Sequence, residues 1–99
     1  MRMYDYKGKK NLCGERIGKQ RKKLRMSQSD LAAKMQIEWD TLERDSISRI
    51  EIGTRFVADY ELLVFARILG VTVEWLLAIE EWKSGESGKT LPDSPLFAY

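Results

Sequence analysis

Arg44-Asp45-Ser46-Ile47-Ser48-Arg49-Ile50-Glu51-Ile52-Gly53-Thr54-Arg55 reads as one short helix and its stop. Ile47 and Ile50 stand three apart and share a face that can be buried. At roughly 100° per residue, Asp45, Ser48, Arg49 and Ile52 point the other way. Gly53 supplies the terminating residue. The outward face therefore carries planar, bidentate-capable or small hydrogen-bonding groups, which suit the edges of DNA bases. An ordinary solvated face has the same composition, and these twelve residues do not choose between the two.

The rest of the chain narrows the choice. Ninety-nine residues make one domain with a small core, and 43% hydrophobic against 32% charged residues fits a soluble globular protein. The most apolar stretch, residues 62–69, is broken by Arg67 and followed by Gly70, too short to span a bilayer. The basic N-terminus precedes no apolar segment or cleavage pattern, so a cytoplasmic protein is expected. Cys13 stands alone, which excludes an intramolecular disulfide, and it reads as a small residue just before the first helix. The absence of histidine removes His-based metal sites and triads. With no glycine-rich phosphate loop either, no enzyme, cofactor or bound metal is expected.

Charge is distributed unevenly. Residues 1–25 carry a net +8 and the remainder −6, although the whole chain is only +2. A basic arm and first helix form an electrostatic footprint for a polyanion, with a solvated helix face as the plain alternative.

In chain order, residues 1–13 lack periodicity and are expected as a flexible basic arm. A first helix is expected over 14–24, with Ile17 and Leu24 on one stripe and Arg21 oddly between them, since a buried charge needs a partner. Ser27 offers an N-cap and Asp30 a capping-box partner to a second helix from Gln28 to about Met35. Over 36–43, Ile37, Trp39 and Leu42 suit a loop tacked to the core, while Asp40 or Thr41 can cap an early start to the third helix. Asp59 is expected to cap a fourth helix, buried through Leu62, Leu63, Phe65, Ala66 and Leu69, and Gly70 to end it. Thr72 is expected to cap a fifth, over residues 73–82, with Trp75 and Trp82 on one stripe that meets something outside the monomer. The Gly-, Ser- and Pro-rich residues 83–99 read as a flexible tail whose Leu96, Phe97 and Tyr99 can pack in a groove. The expected architecture is all-α with five helices, the folded domain occupying 14–82.

Ile17-Gly18-Lys19-Gln20-Arg21, Ser27-Gln28-Ser29-Asp30-Leu31-Ala32, Ile47-Ser48-Arg49-Ile50-Glu51 with Gly53, and Leu62-Leu63 with Ala66 and Leu69-Gly70-Val71 follow one order. Together they resemble the helix-turn-helix domain of the phage repressor and Cro family, over about residues 17–77. The resemblance implies a compact lambda-repressor-like fold and a sequence-specific regulator of transcription, a repressor, bound to double-stranded DNA.

It further implies that Gln28 sits at the DNA backbone and braces the reading helix. Arg44, Asp45, Ser46 and Arg49 are then expected to face major-groove bases, and Thr54 and Arg55 to approach phosphates. Arg21 and Glu51 match a buried ion pair, which accounts for the odd placement of Arg21; Glu51 lies only about 40° from Ile47 on the wheel. One departure is the sixteen-residue step from Leu31 to Ile47, longer than in the compact motif, as in one branch of the family. A second is Ile52, where a small polar residue is usual. One short helix reads few base pairs, so a homodimer on a palindrome is expected, with Trp75 and Trp82 as its candidate face and no small-molecule ligand. The rival expectation is a protein-interaction module or antitoxin-type partner protein with Leu96, Phe97 and Tyr99 as its hook.

Overall fold

Capping signals and apolar periodicity account for most helix boundaries in the computed structural model, which describes residues 8–38 and 42–80. The helices are α1 (Gly14–Lys23), α2 (Gln28–Glu38), α3 (Arg44–Ile52), α4 (Asp59–Leu69) and α5 (Val73–Leu76), with no strand among the described residues. The domain is all-α. None of these helices is long and apolar enough to cross a membrane. The expectations for Trp39, Asp40, Thr41, Trp82 and the tail over 83–99 lie outside the described residues.

α1 closes through Arg25, whose φ of 61° turns the chain so that the Met26 N–H reaches the Arg21 carbonyl at 3.0 Å. The capping box then forms reciprocally. The Asp30 N–H donates to Ser27 Oγ and the Ser27 N–H to Asp30 Oδ2, each at 2.9 Å. The Ser27 N–H, and after it the hydroxyl, hold the Asp30 carboxyl below its ordinary range. α2 runs to Glu38, past the expected end at Met35, and its last turn is tied to α4 by an Arg67–Glu38 ion pair at 3.4 Å.

α4 starts one residue earlier than expected. Ala58 is its N-cap and Asp59 its first residue, while Glu61 reaches back to accept the Ala58 N–H at 3.0 Å. Its buried face holds Val64, Phe65, Ala66 and Leu69. Leu63 was expected there but is 56% exposed, because two residues at helical pitch turn it about 200° from Phe65. α5 is capped by Thr72 Oγ1, which accepts the Trp75 N–H at 3.0 Å, but it lasts only four residues. The Trp75 carbonyl accepts from Arg16 Nη1 at 2.9 Å and from the Ala78 N–H at 3.0 Å, and Ala78 turns left-handed at φ 55°. The continuous helix expected over 73–82 is thereby interrupted.

Ile17, Leu31, Met35, Ile47, Ile50, Phe65, Leu69 and Leu76 fill the core. Each such side chain contributes about 1.5–3 kcal/mol against an exposed one. α3 packs on both α1 and α2, while α4 covers α1 and α2 from elsewhere and carries α5.

Candidate nucleic-acid interface

Four arrangements hold the inner side and C-terminal end of α3. The first is a close approach to α1. A Cβ on Gly14 would overlap the Ile50 carbonyl oxygen, and one on Gly18 would come within 3.1 Å of the Glu51 carboxylate. Two glycines four residues apart thus open a channel on α1 that receives the end of α3.

The second is charged. Arg21 Nε and Nη2 donate to Glu51 Oε2 and Oε1 at 2.6 and 2.9 Å, and Arg21 Nη1 donates to the Met26 carbonyl at 2.8 Å. Gln28 Nε2 adds a bond to Glu51 Oε1 at 3.1 Å. The Arg21 and Glu51 side chains keep only 9% and 12% exposure. A pair so shielded is tolerable because its geometry is bidentate and its remaining donors are satisfied. The Glu51 bond also raises the Arg21 pKa, keeping the guanidinium charged. One carboxylate therefore joins α1, α2 and α3.

The third is a strap. Residues 8–13, expected within a flexible arm, lie against the end of α3. The Lys10 N–H donates to the Gly53 carbonyl at 2.9 Å. Asn11 Nδ2 donates to the Ile50 carbonyl at 3.1 Å and to the Arg55 carbonyl at 2.8 Å, while Asn11 Oδ1 accepts the Gly14 N–H at 2.7 Å. The Lys10 ammonium sits 5.2 Å from the centre of the Phe56 ring. Beside the strap, Cys13 is buried, which pushes its thiol up to about 11.

The fourth is the helix stop. Gly53 takes φ 100°, and the Gly53 and Thr54 N–H groups both donate to the Arg49 carbonyl at 2.9 Å.

The outer side is different. Arg44, Asp45 and Arg49 are exposed, Ser46 and Ser48 are half-buried, and Ile52 is 61% exposed. Arg44 and Asp45 form a loose surface pair at 3.8 Å. Thr54, also exposed, follows the helix stop. Arg55 is more committed than its sequence position implied. It donates to both Glu61 oxygens at 3.1 and 3.2 Å and to the Phe56 carbonyl at 2.9 Å. Arg16, counted in the basic first helix, is likewise engaged, with Glu80 at 2.6 Å and its guanidinium 4.9 Å from the Trp75 ring centre. That pairing holds the Glu80 carboxyl below its ordinary range. Trp75, expected to look outward, packs partly onto the monomer's own core. Lys19, Lys22 and Lys23 remain at the surface of α1.

In this arrangement Arg49 and Arg44 have the planar fork that grips guanine O6 and N7, Asp45 can accept from cytosine N4, and the serines bond to either kind of edge. Sequence reasoning missed Asn11, Gly14 and Gly18. The glycine spacing was a usable signal; Asn11 offered none. Comparison with protein-family models, curated proteins and solved structures finds no match.

Proposed function

We propose that this chain is a sequence-specific double-stranded DNA-binding regulator of transcription, a repressor of the phage repressor and Cro type, reading the major groove with α3. The observation that carries the reading is the two-sided character of α3. Its inner side is fixed by Glu51 to Arg21 and Gln28, while Arg44, Asp45 and Arg49 stay exposed on a helix of nine residues. A helix so held can present base-reading groups at a set angle without adjusting its own packing.

Lysines of α1 neutralise phosphates and supply sequence-independent affinity. The logarithm of that affinity falls with log salt at about −0.9 per phosphate neutralised. Gln28 and the start of α2 fix the register on the backbone. Arg49 or Arg44 reads guanine, Asp45 cytosine, and Thr54 lies at a phosphate. Two copies on a palindrome extend the read sequence, with half-sites about 34 Å apart.

Selection of bound sites from random duplex DNA, followed by titration with the Arg49→Ala variant, tests this. The expected result is one enriched palindromic site and a loss of about 1–3 kcal/mol of specific affinity in the variant, with an unchanged circular dichroism spectrum. No enriched site, or equal affinity of the variant, overturns it.

A further inference from the structure

We infer that Asn11, which lies outside the helix-turn-helix, is a positioning residue for the reading head, setting the last turn of α3 and the Gly53–Arg55 turn. The inference rests on the DNA-binding reading above. The Asn11 amide uses both faces of its chemistry at once. Its two donations run to carbonyls 39 and 44 residues away, and its acceptor oxygen fastens the first N–H of α1. An aspartate has the same shape but turns both donors into acceptors aimed at carbonyl oxygens. Serine and alanine do not reach.

What these bonds hold is not the core. Ile47, Ile50 and the Arg21–Glu51 pair fix the body of α3 whether or not Asn11 is present. The Asn11 donations instead act on the carbonyls that open and close the segment 50–55, which includes Thr54 and the backbone of Arg55. A second clamp meets that segment from the far side, where Glu61 takes the Arg55 guanidinium. The turn after α3 is thus held between the strap and the base of α4. Loss of the two Asn11 donations leaves a folded domain whose post-helix turn, kept on the strap side by the Lys10 N–H to the Gly53 carbonyl, moves more relative to the outer face of α3. Specific binding requires the two to meet base edges and phosphates together and depends on that relation; non-specific binding does not.

The test uses the full chain and two readouts. In Asn11→Ala, amide exchange at Gly53 and Thr54 is expected to quicken about tenfold while Phe65 in α4 is unchanged, in keeping with the two hydrogen bonds lost from the 50–55 segment. The ratio of specific to non-specific duplex affinity is expected to fall by a similar factor, about tenfold. Unchanged exchange at Gly53 and Thr54 overturns the inference without reference to DNA. Faster exchange with an unchanged ratio overturns it as well. A wild-type chain that selects no duplex instead overturns the DNA-binding reading, and this inference with it. If the alanine variant does not fold, Asn11→Asp keeps the acceptor for the Gly14 N–H and sets a carboxylate oxygen against the Ile50 and Arg55 carbonyls in place of the two donations. Its exchange at Gly53 and Thr54 is then expected to quicken in the same way, and protection equal to wild type overturns the inference.

Discussion

The two ends of α3 are built differently. At the C-terminal end, Gly53 caps the helix, the Ile50 carbonyl seats against Gly14, Asn11 bonds across it, and Glu51 is gripped by Arg21 and Gln28. At the N-terminal end Glu43 has the extended backbone of an N-cap, φ −94° and ψ 168°, but its side chain makes no capping bond. Among the described residues before it, buried Leu42, whose carbonyl accepts from Gln36 Nε2 at 3.3 Å, anchors the approach. The lesson concerns division of labour along nine residues. Orientation is set where the helix ends, and the exposed groups Arg44 and Asp45 stand where it begins.

The contrast makes graded predictions. Glu51→Ala leaves the Arg21 guanidinium shielded and unmatched, and is expected to cost about 3–5 kcal/mol, read as a fall in the urea midpoint. A cost below about 1 kcal/mol would mean that the C-terminal end is not the firm one. Gly14→Ala drives a methyl into the Ile50 carbonyl, so backbone must shift. About 1–3 kcal/mol is expected, lowering Tm by several degrees or more. Glu43→Ser tests the weak end. A hydroxyl at a residue already in cap geometry is expected to add about 0.5–1 kcal/mol, visible as a small rise in Tm. No rise would show that the first turn gains nothing from a cap.

Much of the fold was legible because its signals are local. Ser27 with Asp30, Gly53, Gly70 and Thr72 mark boundaries through bonds spanning a few residues, and the structure uses all of them as boundaries. The expected cap at Asp59 missed by one residue because Glu61 supplies the capping carboxylate from within the helix. Failures cluster where the partner is distant. The break in α5 falls where Arg16, 59 residues away, and the Ala78 N–H both take the Trp75 carbonyl, and the apolar pattern of 73–82 does not announce it. Residues 8–13 look aperiodic because the strap takes its order from α3 and not from its own sequence. On α3, helical pitch separated the inner isoleucines from the exposed Asp45 and Arg49. It could not tell that Arg55 is held by Glu61.

The same ties impose an order of assembly. The hydrogen bonds that seat the end of α3 close spans of 30, 39 and 44 residues, whereas the Ser27–Asp30 box closes three. During synthesis, α1 and the start of α2 emerge with their local bonds available while Asn11, Gly14 and Arg21 still await residues 50–55. Loop-closure entropy opposes the long spans until those residues arrive. The orientation of α3 is therefore acquired after the local caps, and a nascent chain ending before Ile50 has α1 without the Ile50 and Glu51 contacts that seat α3.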